Sequence, residues 1–191
     1  MLSKLETELY HGSTEKFEQF SLDHLGKNGR AQGLGVYLTP NIDIAAMYTG
    51  VSEFEDRKGY LYTVFTALEN SLSLNEITLS REELSDIVDE LHEQSNFLDN
   101  YGDVHYSGYD QVHDEALELL LNSNNSDVDL LNDLAQTVGS NELVAEVFYK
   151  VGGYTHAVAY KQTRLCDDVV IVFNPARVTI WKVDEITNET M

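Results

Sequence analysis

The middle of the chain carries apolar residues at the spacing of an α-helix. Ser80, with Glu83 three residues on, has the sequence pattern of a capping box and predicts the start of a helix. The residues after it form one apolar stripe at i, i+3, i+4 and i+7, namely Leu84, Ile87, Val88 and Leu91. The pattern therefore predicts an amphipathic helix that buries this stripe and exposes its polar side.

Three further helices are predicted in the same region. The first spans about 110–121. Its predicted inward face consists of Val112, Ala116, Leu119 and Leu120. The second begins at the N-cap Ser126 and ends at Gly139, and the third spans 141–151. The polar, Tyr-rich residues 96–108 predict a loop.

The two ends of the chain carry β-strand patterns instead. Short runs rich in β-branched and aromatic residues predict strands over 8–11, 60–65, 155–160, 169–173 and 177–183. One short helix, over 42–48 with Asn41 as its cap, lies between the early strands. Strands at both ends with helices between them indicate an α+β fold class.

Composition narrows the class of protein. The 191 residues are 42% apolar, which is enough for one domain with a sizeable core or one domain with a large insertion. The single cysteine, Cys166, cannot form an internal disulfide, and no Cys/His cluster has metal-ligand spacing. The first residues contain no apolar signal segment. We expect a cytoplasmic, soluble protein without a bound metal.

The acidic residues are concentrated in one part of the chain. The net charge is −21, and residues 69–148 contain 19 acidic residues against Arg81 alone, a net charge of −18. We interpret the chain as one domain over 1–191 that is interrupted by an acidic helical insertion over 69–148. Such a surface is repelled by phosphate backbones, which argues against nucleic acid as a direct partner. It favours a basic protein surface, and simple solubility is the alternative interpretation.

Three short segments in the nearly neutral part carry candidate chemistry. The first predicted strand ends in His11-Gly12-Ser13. A Gly-rich loop then leads into Tyr37, and Tyr48 follows eleven residues later. Late in the chain, an apolar strand is headed by Asp168. Each segment alone has an ordinary structural explanation, and the loop matches neither the P-loop nor the Rossmann fingerprint.

In this order the three segments resemble the ADP-ribosyltransferase superfamily, in the diphtheria-toxin and poly-ADP-ribose-polymerase branch with a His-Tyr-Glu signature. The stretch 9–48 is most similar to small phage members, including polyvalent-protein modules and an anti-CRISPR ADP-ribosyltransferase. These members share the Tyr-His-Gly start, the Phe17 and Phe20 pair and the Gly-rich loop. The resemblance covers roughly 1–66 and 150–183. It implies a small split antiparallel-sheet fold, with the acidic segment outside it.

The resemblance also implies how the candidate residues bind NAD, the family's substrate. Tyr37 and Tyr48 would sandwich the nicotinamide ring, since aromatic faces attract a cationic pyridinium. The Gly12 backbone would pair with the carboxamide, and His11 would hydrogen-bond a ribose hydroxyl.

Two further NAD contacts are implied less directly. Ser13 would add a hydroxyl near the ribose. Arg30, with Lys27 in the same Gly-rich loop, is the candidate cation for the pyrophosphate.

A carboxylate completes the implied catalytic set of Asp168, His11 and Tyr37. Loss of nicotinamide leaves a ribosyl oxocarbenium ion, which a carboxylate at the 2′-OH stabilises. Asp168 takes the place where some phage relatives carry Asp, whereas alignment on the branch's usual Glu lands on Val169. One residue changes the face of a strand, unless a bulge intervenes. Asp167 is therefore the alternative acid.

These features lead to three hypotheses of function. The first is a mono-ADP-ribosyltransferase, a glycosyltransferase that uses NAD to modify a basic, nucleic-acid-binding host protein. Analogy alone suggests phage counter-defence in a bacterial host, a host-virus interaction. The second is a non-enzymatic inhibitor whose acidic segment mimics a phosphate backbone, and the weaker third is an NAD glycohydrolase toxin. The acceptor protein, the modified residue type and the oligomeric state stay open.

Overall fold

The described part of the chain consists of short strands at both ends and helices in the middle. The structure is a computed structural model that describes residues 6–21, 35–51, 57–159 and 169–188. The strands are β1 (Glu6–Ser13), β2 (Val36–Leu38), β3 (Gly59–Ala67), β4 (Asn70–Ser73), β5 (Tyr154–Ala159), β6 (Val169–Val172) and β7 (Thr179–Ile186). The α-helices are α1 (Ile42–Met47), α2 (Arg81–Ser95), α3 (Val104–Ser107), α4 (Tyr109–Ser123), α5 (Asp127–Val138) and α6 (Asn141–Gly152). Two 3₁₀ turns span Phe97–Asn100 and Pro175–Arg177.

The strands form two mostly antiparallel sheets. One sheet has the strand order β1-β3-β7 and the other has the order β2-β6-β5-β4. In the first sheet Leu9 lies opposite Val64 and His11 lies opposite Tyr62. In the second sheet Tyr37 of β2 lies opposite Ile171 of β6. Helices combined with these sheets confirm the α+β fold class.

The described residues divide into two compact units. The first unit contains the described residues before Glu69 and after Ala157, and the second unit contains residues 69–157. The second unit thus begins where the acidic segment begins and continues past its predicted end. None of the described helices combines the length and the apolar character needed to span a bilayer.

The core of the first unit follows from strand alternation. Successive side chains of β1 point to opposite faces, so Leu9 and His11 share one face while Tyr10 and Gly12 share the other. The Leu9 face belongs to a cluster of buried residues from β1, β2, β3, β6 and the residue before β7. Its members are Leu9, Val36, Leu38, Tyr62, Val64, Val170, Val172 and Val178. Phe17 and Phe20 pack against this cluster, next to His11.

In the second unit the predicted helix signals are present. Ser80 and Glu83 form the reciprocal hydrogen bonds of a capping box. The stripe Leu84, Ile87, Val88 and Leu91 is fully buried. Ser126 caps α5, and Gly139 ends it with a φ of 74°. Polar signals at the helix ends therefore fix α2 and α5 as the sequence indicates.

Two details of this unit contradict the sequence predictions. Leu119 was predicted to face inward, but it is 54% exposed and Leu117 is buried in its place. Residues 96–108 were predicted to be a loop, but they contain a 3₁₀ turn and α3. Phe97 and Leu98 of that turn are fully buried. Two apolar residues are enough to bury a turn beneath neighbouring helices, although the surrounding sequence is polar.

A buried carboxylate holds the segment that leads into α2. Asp127, the first residue of α5, is fully buried. Its two oxygens accept hydrogen bonds from the backbone N–H groups of Ser73, Thr78 and Leu79, at 2.8 to 3.1 Å, and from the Thr78 hydroxyl. These donors satisfy the carboxylate, so Asp127 links α5 to residues 73–79 inside the unit.

Candidate active site

The pairing between β1 and β2 ends after a single bridge. The Tyr10 N–H donates to the Thr39 carbonyl oxygen at 2.8 Å, and the Thr39 N–H donates to the Tyr10 oxygen at 3.0 Å. An uninterrupted antiparallel ladder would next pair Gly12 with Tyr37. Instead the Tyr37 carbonyl oxygen accepts a hydrogen bond from Nδ1 of His11 at 2.8 Å. The ladder between the end of β1 and the start of β2 is therefore interrupted at His11, Gly12 and Tyr37, and we call this interruption the opening.

Gly12 presents an open main-chain edge at this opening. Backbone groups alternate along a strand, so the N–H and C=O of Gly12 point to the same side as those of Tyr10, away from β3. Among the described residues, neither group has a hydrogen-bond partner. A donor and an acceptor thus lie side by side on one residue without side-chain atoms.

His11 is held as a neutral imidazole. A carbonyl oxygen can only accept, so Nδ1 carries the proton in the hydrogen bond to Tyr37. Burial lowers the pKa of His11, although the hydrogen bond to the Tyr37 carbonyl opposes that effect. In this tautomer Nε2 is an acceptor, and it has no partner among the described residues.

Aromatic rings surround the His11 imidazole on its core side. Phe20 lies edge-on to it, with ring centroids 5.2 Å apart, and Phe17 and Tyr62 each lie at 6.0 Å. Phe17 and Phe20 belong to the motif that the sequence resemblance includes. Tyr62 was not singled out as a site residue, although it lies within the predicted strand 60–65. Its signal is cross-strand register, which only the folded sheet reveals.

Helix α1 is packed closely on the other face of β1. The Asn41 side chain caps the helix by accepting from the N–H groups of Asp43 and Ile44. A Cβ atom on Gly12 would lie 1.8 Å from the Ala45 carbonyl oxygen, so only glycine permits this approach. Tyr48 follows at the C-cap and is 69% exposed. The packing therefore fixes the helix end that carries Tyr48.

Tyr37 and Tyr48 are not in ring contact. Tyr37 shares the face of Ile171, because the two residues lie opposite each other on β2 and β6. Tyr48 makes no aromatic contact with any described residue. His11 meets Tyr37 through the Tyr37 main chain. The structure thus joins His11 to Tyr37 directly, and α1, which carries Tyr48 at its end, packs against the neighbouring Gly12.

Ser13 lies at the end of β1, two residues after His11 and on the same face. Its hydroxyl oxygen accepts a hydrogen bond from the Glu15 N–H at 3.1 Å. The hydroxyl proton can still be donated to a ligand. Ser13 therefore starts the turn over residues 13–17 and also borders the opening.

The remaining predicted site residues lie outside the described part of the chain. They are Asp168, the alternative acid Asp167, and the candidate cations Arg30 and Lys27. Strand β6 is described from Val169, which shares the face of Ile171 and therefore that of Tyr37. Among the described residues no group of three His, Cys, Asp or Glu side chains is arranged to hold a metal ion.

The order of these features along the chain agrees with a known family. The family model described as ADP-ribosyltransferase in polyvalent proteins matches residues 6–180. The chain belongs to this family. The match spans the acidic segment as well as the two flanking parts, whereas the sequence resemblance covered the flanking parts alone. No curated protein and no solved structure matches the chain.

Membership has consequences for fold and reaction class. The chain is a member of the ADP-ribosyltransferase superfamily, and its helices and two sheets form the small α+β fold expected for it. At the level of the family its activity is ADP-ribosyl transfer, and the family uses NAD as substrate. The opening at the end of β1 is the candidate active site of this ADP-ribosyltransferase.

Proposed function

We propose that this ADP-ribosyltransferase uses NAD to attach a single ADP-ribose to a protein. The observation that carries the proposal is the open edge of Gly12 beside a neutral His11. A primary carboxamide presents an acceptor oxygen and a donor N–H₂ side by side, which matches a backbone N–H and C=O on one residue. Nicotinamide carries such a group, so Gly12 would hold the leaving group of the reaction.

The neighbouring residues support an NAD site in the same place. Nε2 of His11 would accept a hydrogen bond from an NAD ribose hydroxyl, and Ser13 would donate a second one. Tyr37 and Tyr48 would stack on the nicotinamide ring, one from β2 and one from the end of α1. Because Tyr48 is exposed, we expect its ring to be ordered by the ligand.

Transfer requires a carboxylate in addition to the binding groups. The bond between nicotinamide and ribose C1′ breaks, its electron pair leaves with nicotinamide, and a nucleophile of the acceptor forms the new bond to C1′. The acceptor releases its proton. We assign to Asp168, with Asp167 as the alternative, the stabilisation of positive charge at the ribose during this step. Arg30 is assigned to the pyrophosphate.

The acceptor is proposed to be a basic protein, since the acidic segment 69–148 carries a net charge of −18. The carboxylates of Glu82, Asp86 and Glu93 on α2, and of Asp110 and Glu115 on α4, are exposed. A basic, nucleic-acid-binding protein of a bacterial host fits this chemistry, and modification there, in the host cytoplasm, would serve phage counter-defence. The enzyme would approach such a protein faster at low ionic strength.

The test combines labelled NAD with a bacterial lysate and the purified protein. We expect a lysate protein to gain the label and the mass of one ADP-ribose, and the transfer rate to fall at least 100-fold in His11→Ala, Tyr37→Ala and Asp168→Ala. The matched control is Asp184→Ala, which removes a carboxylate that pairs with Lys182 on β7. Its transfer rate should equal that of the unsubstituted protein.

Two results would contradict the proposal. Release of free nicotinamide at the full rate without any labelled protein would indicate an NAD glycohydrolase instead. The second result is that neither labelled protein nor free nicotinamide forms at saturating NAD, while the effect of the protein in cells survives His11→Ala, Tyr37→Ala and Asp168→Ala. That result would indicate an inhibitor that acts through its acidic surface.

A further inference from the structure

Tyr62 occupies a central position behind the candidate active site. It is fully buried in β3 and lies directly opposite His11 in the β1–β3 ladder. Both side chains lie on the core-facing side of the sheet, with ring centroids 6.0 Å apart. Tyr62 is therefore too deep to touch NAD, yet it is next to the residue assigned to the ribose.

The Tyr62 hydroxyl holds the turn that follows β1. The N–H of Phe17 donates to this hydroxyl at 2.7 Å. The hydroxyl proton can go to the carbonyl oxygen of Glu15 at 3.2 Å or to that of Phe17 at 3.4 Å. Three backbone groups of one short turn thus converge on one buried hydroxyl, which satisfies main-chain groups that would otherwise lack partners.

A chain of ring contacts connects Tyr62 to His11 through Phe17 and Phe20. Phe17 stacks on Tyr62 with centroids 4.3 Å apart and an interplanar angle of 10°. Phe20 packs edge-on against Phe17 at 4.9 Å and against His11 at 5.2 Å. These rings limit rotation of the imidazole, whose Nδ1 is tied to Tyr37 on the other side.

We propose that Tyr62 is a positioning residue of the ADP-ribosyltransferase site. Its hydroxyl fixes the turn at residues 15–17 so that Phe17 and Phe20 hold the His11 imidazole with Nε2 turned toward the NAD ribose. The inference rests on the proposed function, because it assigns Nε2 to that ribose. A group that supports a ligand contact through a second residue loses its effect when that residue is removed.

The test measures NAD binding by titration calorimetry, which needs no acceptor protein. Tyr62→Phe removes only the hydroxyl, and we expect the dissociation constant to rise about tenfold. The matched control is Tyr60→Phe on the same strand, because no hydrogen bond joins the Tyr60 hydroxyl to any described residue. In a His11→Ala background, Tyr62→Phe should change the dissociation constant by less than about twofold.

Each outcome decides between explanations. An equal loss with and without His11 would mean that Tyr62 only stabilises the fold, and an unchanged dissociation constant would mean that it does nothing for the site. Either result overturns the inference and leaves the proposed function standing. Failure of the unsubstituted protein to bind NAD would overturn both.

A second variant covers the case in which Tyr62→Phe does not fold. Phe20→Leu leaves the hydroxyl in place and removes the ring nearest to His11. It should weaken NAD binding in the same way and should likewise lose its effect in the His11→Ala background. An additive effect of Phe20→Leu there would also contradict the inference.

Discussion

Two histidines of this chain are kept neutral by burial, each in a different unit. His11 lies at the candidate site, and His156 of β5 lies in the second unit, 5% exposed. The Thr155 hydroxyl accepts from the Glu69 N–H at 3.0 Å, so its own proton can go to Nδ1 of His156, also at 3.0 Å. Burial lowers the pKa of both imidazoles, that of His156 to about 4. Each side chain is therefore a packed, uncharged group at neutral pH.

His156 should make stability depend on pH in the acidic range. In the unfolded chain its pKa returns to about 6.5, so the unfolded state binds the proton first as pH falls. The contribution of neutral His156 to the free energy of unfolding is complete above pH 6.5 and is lost progressively as pH falls toward 4. We expect His156→Gln to reduce the loss of unfolding free energy between pH 7 and pH 5 by about 2 kcal/mol.

Urea unfolding at both pH values gives this comparison directly. The change in unfolding free energy between the two pH values is compared within each protein, so a general destabilisation by the substitution cancels. Equal losses in the two proteins would show that His156 does not titrate differently on folding.

At the scale of elements, the distance between β1 and α1 decides where Tyr48 lies. Because Gly12 has no Cβ, the Ala45 carbonyl oxygen can lie where the Cβ of any other residue would be. Thr49, just after the helix, is fully buried, and its hydroxyl donates to the Ala46 carbonyl oxygen at 2.7 Å. The helix end is therefore a rigid support for an otherwise exposed tyrosine.

Gly12→Ala should disrupt this packing. The added methyl group collides with backbone, which cannot rotate away, so α1 must shift and we expect a loss of about 3 kcal/mol in unfolding free energy. The control is Gly139→Ala at the end of α5, where a Cβ meets nothing within 4 Å and only the φ of 74° opposes it. That change should cost about 1 kcal/mol.

Chemical denaturation of both variants measures the difference. Comparable losses in the two would show that α1 accommodates the methyl group and that the close approach is not required.

Much of the element order could be predicted because the relevant signals are local. The Ser80 capping box and the Gly139 stop act within one turn, and their effect does not depend on the rest of the fold. The prediction that Leu119 faces inward was wrong because four leucines near the end of α4 offer two overlapping apolar stripes. Packing against the neighbouring helices determines which stripe is buried. Strand β4 was not predicted, because three of its four residues are polar and Leu72 is its only buried apolar residue, too little for a β-rich run.

The candidate site divides in the same way. The sequence resemblance names His11, Gly12 and Tyr37 from their order along the chain, and their roles in NAD binding stay predictions. The tautomer of His11 and the role of Tyr62 could not be predicted, because both depend on which residues face each other across strands. The acid stays a prediction, since Asp168 lies outside the described residues.

For the whole molecule, charge is the dominant long-range property. In the second unit, Arg81 pairs with Asp114 and Glu118, and Lys150 pairs with Glu90. The other carboxylates of the segment 69–148, whose net charge is −18, repel one another. Exposed pairs of this kind contribute little, so the repulsion is largely uncompensated.

Added salt should therefore stabilise this protein. Raising NaCl from 20 mM to 500 mM shortens the Debye length to a few ångström and screens the repulsion between carboxylates. We expect the free energy of unfolding to increase by roughly 1 kcal/mol and Tm to rise by about 3 °C. Differential scanning calorimetry at several salt concentrations would measure the change. A fall in Tm would mean that the ion pairs outweigh the repulsion.

The short ladder between β1 and β2 has a consequence for how far this protein can be stabilised. One more pair, Gly12 with Tyr37, would add two hydrogen bonds worth about 1 kcal/mol each. The same pair would occupy the main-chain edge of Gly12 that we propose as the carboxamide site, and it would take from His11 the carbonyl that fixes its proton. Substitutions that extend the pairing of β1 and β2 here should raise the free energy of unfolding and abolish NAD binding. Stability and ligand binding therefore make opposite demands on the main chain at Gly12.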